Sequence, residues 1–148
     1  MTSNDGIHYV FWHRERVHFR DVDLQRIVYY GKYLEYFDNA LYEYFRSLGF
    51  EPGAMNERFG FDTSVVHAEI DYVSPASFDD LLDIGVRVTR MGRTSFAATF
   101  EIRESERVIC RASLVLVNYD AATARARPLP ANIREAINKS NLDGNGRG

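Results

Sequence analysis

One long helical stretch constrains this chain more than any other part of its sequence. Between Gly31 and Leu48, apolar residues recur every three or four positions, as they do along one face of an α-helix. A second apolar or semi-apolar stripe runs beside the first. A helix that is apolar over so much of its girth must be largely buried, so the fold has to be built around it. The two stripes comprise Leu34, Phe37, Leu41, Phe45 and Leu48, and Tyr33, Tyr36, Ala40 and Tyr44.

The two ends of this helix differ. Gly49 stands where a left-handed C-terminal cap is expected, and Arg46 lies in the last turn, where the helix dipole favours a cation. At the start, Gly31 has no side-chain oxygen to accept a hydrogen bond from the first free N–H groups. A ligand oxygen is one candidate acceptor, since a helix N-terminus attracts negative charge. The acidic pair Asp21 and Asp23 lies a short loop before this start.

Strands dominate the rest of the pattern. Residues 7–19 favour a strand, and residues 49–60 favour a loop because they hold three glycines and a proline. Short turns join the later strands, which favours an antiparallel sheet, and a buried helix can lie across the face of such a sheet. The last strand is apolar on both faces, which predicts an interior position. The later strands are predicted at 61–73, 82–88, 96–102 and 108–119.

We therefore predict one α+β domain over residues 1–148. A short helical pattern covers 131–138, and residues 1–6 and about 139–148 are predicted to be disordered. The net charge of −3 gives no reason to expect a nucleic-acid partner. The single cysteine excludes an internal disulfide, and no segment is long enough to span a membrane. These features predict a cytoplasmic protein without nucleic-acid or membrane partners.

Three segments in order resemble the 4-hydroxybenzoyl-CoA thioesterase family of hot-dog-fold proteins. The first is DVDLQRIVYY at 21–30, which follows the family pattern D-x-D-x-x-G-x-V-x-Y except that Arg26 replaces a glycine. The others are VHAEIDYVSPA at 66–76 and TRMGRTSF at 89–96. Glycine permits backbone angles that arginine resists, so the substitution bears on the loop conformation. The match spans about residues 15–120.

The resemblance implies a curled antiparallel sheet of about five strands wrapped around one long central helix. It also implies a homodimer or homotetramer, with active sites at the subunit interface. A Tol-Pal-associated branch of the family has tyrosine and histidine flanking its aspartate, where this chain has Phe19 and Tyr30. Since the 4-hydroxybenzoyl-CoA branch has tyrosine at the second place, the chain looks more like that branch.

Thioester hydrolysis needs a carboxylate that attacks the carbonyl or activates water, and hydrogen-bond donors for the developing oxyanion. Asp23 is the candidate carboxylate, and the backbone N–H groups of Tyr30 and Gly31 are the candidate donors. The resemblance carries the same roles to Asp23 and Tyr30. The alternative for Asp23 is a turn residue that binds its own backbone, and that is the leading interpretation of Asp21.

Family members hold the phosphates of coenzyme A with basic and hydroxyl residues at the turn near residue 92. The candidates here are Arg90, Arg93, Thr94 and Ser95, and the alternative is a solvated hairpin. No histidine spacing indicates a metal site. His67 is interpreted as a packed or interface residue, with a general base as the alternative. Asp38 and Glu43 are interpreted as helix-surface residues, and the helix aromatics Tyr33, Tyr36 and Phe37 as core residues. For these five helix residues the alternative is a place in the acyl pocket.

The leading prediction is an acyl-CoA thioesterase that hydrolyses a small aromatic or short-to-medium-chain acyl-CoA to the free acid and CoA. Asp23 acts as nucleophile or general base, and no cofactor is required because coenzyme A is part of the substrate. Two alternatives stay open. One is an acyl-carrier-protein thioesterase of a biosynthetic pathway, and the other is a non-catalytic protein that binds acyl-CoA.

Overall fold

The structure is a computed structural model that describes residues 6–145. Its strands are β1 (Phe11–Arg16), β2 (Thr63–Tyr72), β3 (Leu81–Met91), β4 (Ser95–Glu104), β5 (Arg107–Asp120) and β6 (Arg125–Ala126). Its helices are α1 (Tyr33–Ser47), α2 (Met55–Phe59) and α3 (Ala131–Asn145). Single 3-10 turns precede α1 and α2 and follow β1, at Tyr30–Lys32, Pro52–Ala54 and Phe19–Asp21.

The strands form one antiparallel sheet in the order β1-β3-β4-β5-β2, with β6 paired to the end of β5. The sheet curls around α1, as the resemblance implied. The prediction that the strand at 108–119 is interior is confirmed, because β5 lies between β4 and β2. The first strand and the strand at 61–73 are the two edges of this order. Within the described residues, no helix combines the length and apolar character that crossing a membrane requires.

The long helix is the centre of the core, as predicted. The Phe37 ring lies 5.0 Å from the Phe100 ring of β4, and the Phe45 ring lies 6.0 Å from Phe96. The predicted face is slightly rotated, because Leu34 is 39% exposed whereas every residue of the second stripe is buried. The buried residues of α1 are Tyr33, Tyr36, Phe37, Ala40, Leu41, Tyr44 and Phe45. Gly49 has a φ of +98°, the left-handed conformation expected after the helix end.

Three predictions about local structure are wrong. The loop predicted at 49–60 contains the short helix α2. The sequence predicts that Val66 shares one face of β2 with Ala68, Ile70 and Tyr72, but a bulge between Val65 and His67 places Val65 on that face instead, opposite the core residue Leu116. Residues 139–145 continue α3 rather than being disordered, and Asn141 there donates a hydrogen bond to the Val88 carbonyl at 2.9 Å. The disorder predicted for 1–5 and 146–148 concerns residues outside those the structure describes.

Candidate active site

The acidic loop is a tight turn closed by backbone hydrogen bonds. Val22 and Val28 form an isolated antiparallel bridge, and the Asp23 N–H donates to the Ile27 carbonyl at 3.0 Å. The exposed Asp23 carboxylate accepts a hydrogen bond from the Gln25 N–H on Oδ1 at 2.8 Å. Its other oxygen forms no hydrogen bond with a described residue. One oxygen therefore performs the turn role, while the second remains available for chemistry.

Arg26 occupies the position of the family glycine and keeps the conformation that glycine favours. Its φ is +64°, in the left-handed region that side chains rarely adopt. The Arg26 N–H donates to the Asp23 carbonyl at 2.9 Å, so the turn geometry depends on this conformation. Arg26 therefore holds the turn in a conformation that strains the backbone of a residue with a side chain.

Arg26→Gly is expected to raise the free energy of unfolding by about 0.5 kcal/mol, because relief of about 1 kcal/mol of strain exceeds the extra chain entropy of glycine. Urea denaturation followed by circular dichroism measures the change. The control is Gln25→Gly, since Gln25 is not among the residues with positive φ. Glycine there is expected to cost about 0.5–1 kcal/mol. If both variants lose stability equally, the strain at Arg26 is absent.

Asp21 anchors the loop from inside the protein, which agrees with its predicted structural role. Its carboxylate is 3% exposed and accepts hydrogen bonds from the His18 N–H at 3.0 Å and the Tyr36 hydroxyl at 2.8 Å. The Lys32 ammonium lies 3.3 Å from Oδ1. Burial alone raises the pKa of this carboxyl, but the three donors outweigh burial and hold the pKa below its usual range. Asp21 is therefore a buried anion, and its own carbonyl accepts the Tyr29 N–H at 3.0 Å.

The partners of Asp21 were not predicted from the sequence. Lys32 and Tyr36 are four residues apart, so they share one side of the helix start, and both reach Asp21. That four-residue spacing in the sequence could have indicated a shared partner. Tyr72 of β2 was also missed as a contact of the site, and its hydroxyl donates to the Tyr30 carbonyl at 3.0 Å. A strand residue so distant in sequence gives no local signal for this contact.

The start of the long helix has unused hydrogen-bond donors. The N–H groups of Tyr30 and Gly31 have no acceptor among residues 6–145, and no side chain caps this turn. Gly31 packs closely on its neighbour, because a Cβ added there would lie 2.8 Å from the Tyr29 ring. These two donors point to a site for an oxyanion, since a helix N-terminus carries partial positive charge.

Apolar side chains and Arg26 line a depression beside Asp23. Phe19 is 77% exposed and Phe78 is 51% exposed, and their rings meet edge to face at 5.8 Å. Leu24 at the tip of the turn is fully exposed. Together with Val22, they line a depression that opens beside Asp23. Exposed apolar side chains of this kind are candidates for contact with an apolar group.

The predicted phosphate-binding turn lies at the other end of the sheet within one protomer. Ser95 and Ser64 both pair with Val117, which puts the turn level with the beginning of β2. Tyr72, which contacts Tyr30, ends β2. The eight residue steps from Ser64 to Tyr72 correspond to roughly 26 Å along the strand. One protomer therefore places Asp23 on the loop that leads into the helix start at Tyr30 and Gly31, and it leaves Arg90, Arg93, Thr94 and Ser95 at the other end of the sheet.

Of the remaining candidates, Tyr33 lines a depression with Tyr30 and Tyr72, and the polar ones lie on the surface of β2 and α1. His67 is exposed on the edge strand and lies 3.3 Å from Glu69, and Glu43 forms the predicted helix-surface pair with Arg46 at 3.2 Å. Asp38 lies on the exposed side of α1. The predicted core packing of the helix aromatics is confirmed. Among the described residues, no three metal-ligating side chains cluster.

Comparison with known proteins agrees with the fold. The thioesterase superfamily model matches residues 25–111, more than half of the chain. The acyl-CoA thioester hydrolase YbgC of Escherichia coli is 32% identical over 120 residues, which cover 80% of this chain and 88% of that protein. The structure of 4-hydroxybenzoyl-CoA thioesterase from a Pseudomonas species aligns with a TM-score of 0.76 and 28% identity, covering 85% of this chain and 97% of that one.

A Thermus thermophilus thioesterase, solved in complex with coenzyme A and zinc, aligns with a TM-score of 0.77 and 28% identity. It covers 90% of this chain and 95% of that chain. These likenesses confirm the hot-dog fold and the predicted resemblance. The chain therefore belongs to the thioesterase superfamily, and its predicted class, a thioester hydrolase, is confirmed.

Proposed function

We propose that this chain hydrolyses an acyl-CoA through Asp23, with the helix start at Tyr30 and Gly31 binding the thioester oxygen. The observation that carries the proposal is the exposed carboxylate of Asp23, with one free oxygen, on the loop that leads into a helix start with two unused N–H groups. The family supports the reaction class, and the relatives named above act on acyl-CoA and 4-hydroxybenzoyl-CoA or bind coenzyme A.

The reaction requires attack on the thioester carbonyl carbon. Either Asp23 attacks directly and forms an anhydride that water then hydrolyses, or Asp23 takes a proton from the attacking water. In both routes the carbonyl oxygen gains negative charge, which the Tyr30 and Gly31 N–H groups stabilise. The carbon–sulfur bond then breaks, and coenzyme A leaves as a thiolate that takes up a proton. The products are the free acid and CoA.

The surface beside Asp23 suits an apolar acyl group. Phe19, Leu24 and Phe78 expose rings and methyl groups next to the carboxylate. Burying the acyl chain against these side chains removes apolar surface from water, which contributes about 25 cal/mol per Å². This supports a small aromatic or short-to-medium aliphatic acyl group.

We also infer a homodimer formed through β2. The strand is a sheet edge and is exposed along most of its length, with Val65 44% exposed and Val66 59% exposed. A long apolar edge invites pairing with another strand. Antiparallel pairing of two copies of β2 would put the start of one strand beside the end of the other. The partner's turn at 92–95 would then lie at the Asp23 end, which would complete a site that one protomer leaves divided.

Val66→Lys is expected to shift the protein from dimer to monomer, because a lysine on an edge strand opposes pairing. Light scattering after size exclusion should give twice the chain mass of 17.0 kDa for the parent protein and the single mass for the variant. We expect activity to fall in step with the dimer fraction. The control is Leu142→Lys, on an α3 residue that is 72% exposed. A Val66→Lys protein that stays dimeric would exclude this edge.

The test of the proposed function is release of thiol from a panel of aromatic and aliphatic acyl-CoAs, with the acid product identified by mass spectrometry. Turnover of at least one ester supports the proposal and identifies the acyl class. If only carrier-protein thioesters are cleaved, the carrier-protein alternative is correct. If acyl-CoA binds and is recovered intact, the protein is a non-catalytic binder.

A further inference from the structure

The turn between β3 and β4 collects unused hydrogen-bond donors. The N–H groups of Arg93 and Thr94 have no acceptor among residues 6–145. The hydroxyls of Thr94 and Ser95 form no hydrogen bond with a described residue either. Free N–H groups and hydroxyls that lie next to one another can donate hydrogen bonds to the oxygens of an anion.

The backbone acceptors of the same turn are already occupied. The Arg93 carbonyl accepts the Leu129 N–H at 2.9 Å, and the Thr94 carbonyl accepts the Asn118 N–H at 2.9 Å. The Gly92 carbonyl accepts a hydrogen bond from Arg134 Nη2 at 2.7 Å. The carbonyl oxygens, which would repel a phosphate, are thereby neutralised by donors from the C-terminal part of the chain, while the donors of the turn stay free.

Arg134 brings an unpaired charge to this turn from a distant part of the sequence. It lies in the first half of α3 and is half-buried, and one nitrogen of its guanidinium holds the Gly92 carbonyl. Neither Arg134 nor its neighbours Arg90 and Arg93 forms an ion pair with a carboxylate among the described residues. Other arginines of this acidic chain do, for example Arg14, Arg103 and Arg111.

We propose that Arg134 is a further binding residue for the phosphate groups of coenzyme A, acting with Arg93 and the hydroxyls of the turn. The inference rests on the proposed acyl-CoA hydrolysis and extends the site to the C-terminal helix. A guanidinium with four free N–H groups, beside two backbone N–H groups and two hydroxyls, matches the acceptors of a phosphate. By the β2 pairing inferred above, this site serves the Asp23 of the partner protomer.

The experiment compares two thioesters of the same acid. One is the CoA ester, and the other is the N-acetylcysteamine ester, which lacks every phosphate. Arg134→Gln is expected to raise KM for the CoA ester about tenfold, the effect of losing one charge-assisted hydrogen bond, with kcat unchanged. KM for the phosphate-free ester should not change.

The control is Arg14→Gln, an exposed arginine of the edge strand β1 that pairs with Asp83 near the start of β3, whereas the turn follows the end of β3. This variant should leave both KM values unchanged. An unchanged KM for the CoA ester in Arg134→Gln would overturn the inference. An equal rise for both esters would also overturn it, because Arg134 would then act through the fold. If the parent protein hydrolyses neither ester, the proposed function itself fails.

Mixed dimers test which protomer the turn serves. In a dimer of one Asp23→Asn chain and one Arg134→Gln chain, cross-subunit sites give one intact site and one doubly altered site. Such a dimer should show the parent KM for the CoA ester at about half the parent kcat, since one of two sites works normally. If the turn served its own protomer, no site would be intact and the KM would remain raised. That result would overturn the cross-subunit part.

Discussion

Replacing Asp23 with asparagine is expected to lower kcat by about 10²–10⁴-fold, the contribution of a positioned acid–base or nucleophilic group. The amide has nearly the size of the carboxylate but neither attacks a carbonyl nor accepts a proton from water. The loop should persist, because the amide oxygen can accept the Gln25 N–H in place of Oδ1. The exposed position of Asp23 also means that few other contacts change. We expect the unfolding midpoint to stay close to that of the parent protein.

A matched control exists elsewhere in the chain. Asp120 also accepts, on Oδ1, the N–H of the residue two positions on, Ala122, at 3.0 Å. Asp120→Asn therefore makes the same chemical change in a comparable turn, and kcat should not change. If Asp23→Asn retains more than about a tenth of the parent kcat, a role as catalytic acid–base group is excluded.

Labelling separates the two routes for Asp23. In a single turnover in ¹⁸O-water, direct attack places the label on the Asp23 carboxylate if water opens the anhydride at that carbon, or on the released acid if it attacks the acyl carbon. After several turnovers, direct attack at the acyl carbon leaves Asp23 unlabelled, as general-base attack does. Label on Asp23 therefore establishes the anhydride route, whereas label on the acid alone is consistent with both.

The parts of this fold that depend on a local pattern of apolar residues could be predicted from the sequence. The apolar periodicity of 31–48 predicted the central helix, and the two-sided apolar run at 108–119 predicted an interior strand. The bulge in β2 was not predicted, because Val66 looks like any other alternating strand residue. The helix at 139–145 was missed because its glycine and asparagines favour disorder locally, whereas contacts such as that of Asn141 with Val88 stabilise it.

The candidate site was predictable only in part, because some of its residues come together through contacts between distant parts of the sequence. The loop that carries Asp23 and the helix start at Tyr30 are adjacent in sequence, so one motif contains both. The distance between that loop and the turn at 92–95 depends on strand register, which the sequence does not specify. Arg134 comes from α3, and only the assembled fold brings it to Gly92.

Replacing Asp21 should lower the stability of the fold, whereas replacing Asp23 should lower kcat. Asp21→Asn is expected to lower the free energy of unfolding by about 3 kcal/mol, because it removes a buried anion that three donors surround. The amide NH₂ would face the Lys32 ammonium and would leave at least one donor unpaired. For a chain of this length the unfolding temperature should fall by roughly 10 °C. Tyr36→Phe removes only one of the three hydrogen bonds and should cost about 1.5 kcal/mol.

The pH dependence identifies the charge of Asp21 as the cause. Its pKa is lower in the folded protein than in the unfolded chain, so ionisation stabilises the fold above the unfolded value of about 3.9. That stabilisation is lost as the pH falls below this value towards the folded pKa. Burial, and then the bond to Asp21, raise the pKa of the Tyr36 hydroxyl, which therefore stays a donor throughout.

Urea denaturation at pH 7 and at pH 3 should therefore give a large difference between the parent protein and Asp21→Asn at pH 7 and a smaller one at pH 3. A difference that is the same at both pH values would mean that lost packing, and not lost charge, destabilises the variant. If the difference is smaller at pH 3 as expected, the two aspartates differ in the property that each one supports. Asp23 has a free oxygen and few contacts, so its loss should affect kcat, whereas Asp21 has every contact filled, so its loss should affect stability.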